Sequence, residues 1–137
     1  MSLKLLIFTL SIFFFSFQGS IVLTIEITEL KNSDGEILLE LSDAEKNTIK
    51  EISQEILNDK CIITIENLSP GEYTFKYFHD ANSNKKMDTN FIGMPKEGFG
   101  FSNNAMGMFG PPSHRKMLFK IETDTKMKCK AIYLKKK

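Results

Sequence analysis

Alternation with a period of two constrains this chain most. Ile21, Leu23, Ile25 and Ile27 fall on one side of a segment whose other side carries Thr24, Glu26 and Thr28. Tyr73, Phe75 and Tyr77 alternate in the same way with Thr74 and Lys76. Successive strand side chains point to opposite faces, so each segment reads as a strand with one buried face. Glu36–Leu41, Cys61–Glu66, Met117–Ile121 and Lys126–Leu134 read as further strands. The span around Ile49, Ile52 and Ile56 fits a helix, with Ser42 and Glu45 as a capping box ahead of it. It also fits a strand, which would pair Glu51–Ile56 with Cys61–Glu66 across Asn58-Asp59. Asp34-Gly35 is the strongest short hairpin signal. About seven short strands and no long helix predict an all-β fold, an antiparallel β-sandwich.

Between Phe91 and Ser113 no period is sustained. The stretch is rich in Gly, Pro, Asn, Phe and Met. Disordered segments are poor in aromatics, so Phe91, Phe99, Phe101 and Phe109 predict an ordered loop pinned over the strands.

The N-terminus sets the expected compartment. Lys4 precedes an apolar run from Leu5 to Phe17. That pattern reads as a secretory signal peptide over residues 1–20, and the run falls short of the ~20 apolar residues of a membrane-spanning helix. The expectation is a secreted or periplasmic protein with one domain over 21–137, touching a membrane only through an uncleaved signal segment. Lys plus Arg is 18 and Asp plus Glu is 17, a net charge of +1. Nucleic acid needs a clustered basic surface, and none is visible; Lys135–Lys137 reads as a solvated end. Cys61 and Cys129 either pair, closing a long loop for about 4 kcal/mol, or are two buried thiols.

The chemistry concentrates in His79–Asp88. Asp80, Asn82, Asn84 and Asp88 stand at positions one, three, five and nine of a polar loop, with the Lys86 carbonyl at position seven. Calcium takes ~6–8 oxygen ligands from such groups. The EF-hand pattern is incomplete: Lys85 stands where Gly makes the turn and Phe91 where a bidentate Glu belongs. The alternative is an Asx-rich turn without metal. A small hydrolase using His79, Asp80 and Asp88 would need those groups to converge in an open site. Glu97, Ser102, Asn103 and Asn104 lie among Phe99, Phe101 and Phe109. Polar groups among aromatics suit a small-molecule, sugar or protein partner, or a loop that caps its own core. Gly98-Phe99-Gly100 lacks the third glycine of a phosphate-binding motif.

Tyr77–Pro112, reading YFHDANSNKKMDTNFIGMPKEGFGFSNNAMGMFGPP, closely resembles the signature of the DUF2141 family of secreted bacterial proteins. That signature runs HDxNxNxKxDxNxxGxPxEGxGFSNN, then GxFGPPS. Asn67–Tyr73 resembles the turn and strand that precede it. The departure is Lys85, where the family usually has Gly. The Pro-Gly-x-Tyr turn also resembles prealbumin-like and carboxypeptidase-regulatory β-sandwiches. The resemblance implies a secreted β-sandwich and supplies no activity.

Overall fold

The computed structural model describes residues 19–134. The expected signal peptide lies outside them but for Gly19 and Ser20, and so does the lysine tail. Eight strands form two sheets: β1 (Ile21–Thr28), β2 (Glu36–Asp43), β3 (Thr48–Glu55), β4 (Cys61–Leu68), β5 (Gly71–Asp80), β6 (Phe99–Phe101), β7 (Phe119–Ile121) and β8 (Thr125–Lys130). One sheet has the order β4-β1-β8. The other has the order β3-β2-β5-β6, with β7 also pairing β5. The all-β expectation holds.

The buried faces of both sheets feed one hydrophobic cluster. Leu23, Ile25 and Ile27 of β1 meet Ile37 and Leu41 of β2, Ile63 and Ile65 of β4, and Phe75 and Tyr77 of β5. Fully burying one such side chain is worth about 1.5–3 kcal/mol, so the alternation seen in the sequence is the chief source of stability.

Several connections differ from expectation. The antiparallel reading fails at one pair: β1 and β8 are parallel, from Leu23 opposite Thr125 to Thr28 opposite Lys130. Alternation decides which side chains are buried but not the direction of the neighbouring strand. Asp124 settles it by accepting the Val22 N–H at 2.9 Å. That bond pins the start of β8 beside the start of β1.

The expected hairpin between Glu51–Ile56 and Cys61–Glu66 forms only its turn. Asn58 and Asp59 both take positive φ, 52° and 58°, as a type I′ turn requires. Leu57 and Lys60 exchange two backbone hydrogen bonds of 2.9 and 3.1 Å. Beyond them the strands part, β3 to β2 and β4 to β1. Cys61, Ile63 and Ile65 must reach the core, whereas β3 is exposed along nearly its whole length as an edge strand.

Asp34-Gly35 likewise makes no hairpin, because β1 and β2 belong to different sheets. Gly35 has φ +66°, and a Cβ there would collide with the Asp80 carbonyl. The capping box is absent too: Ser42 is buried in β2 with its hydroxyl on Glu40. The turn after β2 is held instead by Asp43, whose carboxylate accepts the Asn47 backbone N–H at 2.8 Å and its side-chain amide at 3.0 Å. These bonds hold the Asp43 carboxyl below its ordinary range.

The 91–113 stretch is only partly a loop. Phe99–Phe101 joins the sheet as β6, followed by a 3-10 turn at Ser102–Asn104. Phe91 and Phe109 do not pin it, since both are wholly exposed.

Candidate functional site

The polar loop leaves the buried end of β5. His79 is 2 % exposed and Asp80 0 %. The His79 Nε2–H donates to the Asp34 carbonyl at 2.6 Å, because a carbonyl can only accept. Its Nδ1 then accepts from the Tyr133 hydroxyl at 2.8 Å, and that hydroxyl accepts the Lys31 N–H at 3.1 Å. The histidine thus ties three separate segments together. Both carboxylate oxygens of Asp80 are also engaged, on the backbone N–H groups of Asn84 at 3.2 Å and Lys85 at 2.8 Å. With both side chains closed over and fully bonded, His79 and Asp80 have no face to turn toward a substrate.

Asp88 sits at the other end of the loop. Its carboxylate accepts the Asn82 amide at 2.6 Å and the Asn84 amide at 2.9 Å. The Asn82 oxygen accepts the Asn84 N–H at 3.3 Å, and the Asn84 oxygen accepts the Lys86 N–H at 3.0 Å. Lys85 adopts φ +62° at the position where glycine was expected, and its ammonium pairs with Glu36. Glu97 closes the loop from outside by accepting the Asp88 N–H at 3.1 Å. Burial raises the Glu97 carboxyl above its ordinary range, and the nearby charges of Asp88 and Asp80 raise it further. Among the described residues no group of three or more His, Cys, Asp or Glu is placed to hold a metal ion.

Ser102, Asn103 and Asn104 spend their side chains on the protein itself. β6 and β7 share one edge of β5, pairing Lys76–Phe78 and Gly71–Tyr73 respectively. In the gap between them the Ser102 hydroxyl accepts the Phe75 N–H at 3.1 Å and donates to the Met117 carbonyl at 2.6 Å. The Asn103 amide donates to the carbonyls of Lys116 and Leu118. The Asn104 oxygen accepts the Lys130 N–H at 2.9 Å and so serves the free edge of β8. These bonds give the three residues a capping role.

Gly98 and Gly100 are packing residues. A Cβ would run into the Tyr133 ring at the first and into Tyr77 at the second.

Cys61 and Cys129 do not pair. Both stand opposite Ile27, one on each side of β1. Two strand spacings separate them, about 9–10 Å, beyond the ~7 Å that a disulfide can span. Both are free and buried, and burial pushes their thiols up to about 12 and about 11.

The open site lies on the outer face of the five-stranded sheet. Leu38 stands opposite Phe78, and Phe78 opposite Phe99, making an apolar row across three strands. The next row runs Glu51, Glu40, Lys76 and Phe101. Met87, Ile92, Met94, Met106, Met108 and Phe109 complete a cleft of about 1220 Å³. Phe99 and Phe101 pack edge to face, with ring centroids 6.0 Å apart. Of the expected ligand residues, Phe99 and Phe101 line this cleft, with Phe109 beside them, whereas Glu97, Ser102, Asn103 and Asn104 do not.

A family model described as an uncharacterised protein conserved in bacteria, DUF2141, matches residues 25–129. The chain belongs to the DUF2141 family. The match runs from within β1 to within β8, so the polar loop and the cleft floor of this DUF2141 chain fall inside it. No curated protein matches the chain at significant similarity. Sequence reasoning missed Leu38, Phe78 and the four methionines of the DUF2141 cleft. A signal for the floor was present: Leu38-Leu39 and Tyr77-Phe78 are adjacent apolar pairs, and a strand can bury both members only if both its faces are covered.

Proposed function

We propose that this protein is an exported, non-catalytic binding module, a β-sandwich of the prealbumin-like kind, whose ligand sits in the apolar cleft. One observation carries the reading. The outward face of β2, β5 and β6 bears Leu38, Phe78, Phe99 and Phe101 where a solvated sheet would carry polar residues. Six of the chain's exposed large hydrophobics line the same cleft, Ile92, Met94, Met106, Met108, Phe109 and Leu134. A contiguous exposed apolar surface of this kind marks an interaction or ligand site. The hydrolase reading has no comparable support, because His79 and Asp80 are buried and fully hydrogen-bonded.

The test is binding of Nile red, a neutral apolar dye, followed by fluorescence. Wild type should bind the dye and blue-shift its emission. The double variant Met108→Glu with Phe109→Glu should lose the signal and keep its melting temperature, since both side chains are solvent-facing. A wild type that binds no dye overturns the reading.

Calcium in the Asp80–Asp88 loop is a second proposal, and the convergence of Asn82 and Asn84 on Asp88 is what favours it. Lys85 supplies the left-handed turn and keeps its charge on Glu36, and the donors are hard oxygens of the type calcium takes. Amide nitrogens, not oxygens, meet Asp88, so both amides must turn over to coordinate. The ion would tie Asn82 and Asn84 to Asp88. At about ten times Kd it would add about 1.4 kcal/mol, a melting shift of a few degrees that chelator reverses and Asp88→Ala abolishes. No shift in millimolar calcium leaves an Asx-rich turn.

A further inference from the structure

We propose that the cleft receives the uncharged acyl chain of a lipid. The proposal rests on the binding function above and names its ligand class.

The polar inventory of the cleft points away from charged or hydrogen-bonding ligands. Lys76 pairs with Glu40 at 3.2 Å. Lys85 and Ser53 are both engaged by Glu36. The Tyr77 hydroxyl is spent on the Lys130 carbonyl at 2.9 Å. Every side-chain donor among the described lining residues therefore has an internal partner. Glu51 remains, beside Glu40 in the register, so an anionic group entering the cleft would meet carboxylates and no free cation.

Backbone pairing argues against an extended peptide. β2 is paired on both edges, by β3 and β5, and along the cleft floor β5 is paired by β2 and β6. A peptide lying on this floor would bury N–H and C=O groups without partners, which is costly. A methylene chain carries no such groups. A second copy is disfavoured by shape: an isologous contact sets concave cleft against concave cleft, which leaves unfilled volume that close packing avoids. Methionine walls suit a flexible chain, because the thioether side chain has three rotatable bonds and adapts to irregular shapes.

The experiment displaces bound Nile red with monoacylglycerols of short, medium and long chain, each below its micelle concentration. Affinity should tighten by about fourfold per added methylene until the cleft is full. In the Met108→Glu, Phe109→Glu pair and in Leu38→Glu, where little dye is left to displace, monoacylglycerol binding is followed by calorimetry and should lose that dependence. Should Leu38→Glu fail to fold, the wall pair carries the comparison. A dye that binds but is displaced with no dependence on chain length overturns the proposal and leaves the binding function standing. So does a free fatty acid that binds more tightly than the monoacylglycerol of equal length, since the paired charges of the lining offer a carboxylate no added attraction. Displacement by an amphipathic Leu/Phe-rich helical peptide, with none by monoacylglycerol, assigns the cleft to a protein partner and likewise overturns the acyl chain. A wild type that binds no dye removes both the binding function and the lipid.

Discussion

The two faces of the five-stranded sheet are built from similar residues and do different work. Leu39, Phe75 and Tyr77 point inward, are almost wholly buried and join the core. Leu38, Phe78 and Phe99 point outward, are only half-buried and floor an open cleft. The polar cost differs as well. On the inner side Tyr77 finds the Lys130 carbonyl and Ser102 completes the bonds that the strand edge leaves open. On the outer side the charges pair with each other and leave the apolar row bare. Hydrophobicity alone does not make a core residue; a covering layer does.

The strongest way to break that comparison is to truncate one residue on each face. Phe75→Ala empties a site that is 1 % exposed, and thermal or urea unfolding should record a loss of about 3–5 kcal/mol. A loss as large from Phe99→Ala would mean that the outer row is core after all.

Ser102→Ala comes next. It strips the Phe75 N–H of its acceptor while that group stays buried, which costs about 1–3 kcal/mol. Ser102→Thr should restore part of it. If Ser102→Ala instead keeps full stability and abolishes Nile red binding, the serine is a ligand residue and the capping assignment fails.

The thiols give a pH test that is silent at neutrality. Cys61 and Cys129 are protonated in both folded and unfolded chains below about pH 9, so their contribution is then fully present. Their folded values are raised to about 12 and about 11 from 9.0. From pH 9 upward the unfolded chain loses these protons and the folded chain does not, so stability falls with rising pH through the folded values. Cys61→Ala should flatten that fall, measured by urea midpoints between pH 8 and 11. Maleimide labelling of the native protein at pH 8 should be at least tenfold slower than labelling in denaturant.

The smallest effect belongs to the walls. Phe109→Ser and Met108→Ser remove side chains that touch little of the protein, and their unfolding energies should stay within about 0.5 kcal/mol of wild type. Melting curves check this directly, and a larger drop would show these loops packed against something in solution.

The proposed export is tested apart from both faces. Mass spectrometry of protein from the native host should find an N-terminus near residue 20 or 21, whereas an intact Met1 in the membrane fraction would make the segment an anchor.

The sequence by itself determined the all-β class, the positions of most strands and the inward set of β1 and β5, because period two follows from strand geometry alone. It also marked Asp80–Asp88 as a side-chain-bonded loop, because Asn and Asp bond their own backbone wherever they fall in a turn. Tertiary structure decided the rest. Strand partners are long-range choices, so Asp34-Gly35 and Asn58-Asp59 became passages between sheets although each looks like a hairpin locally. The parallel pairing of β8 turned on Asp124 meeting Val22, 102 residues earlier. The disulfide was decided by Ile27 standing between two cysteines that each look able to pair. The cleft emerged only when Leu38, Phe78 and Phe99, far apart in the chain, came into one row. The period of two reports which residues share a face of one strand; only the assembled sheet shows which face is covered.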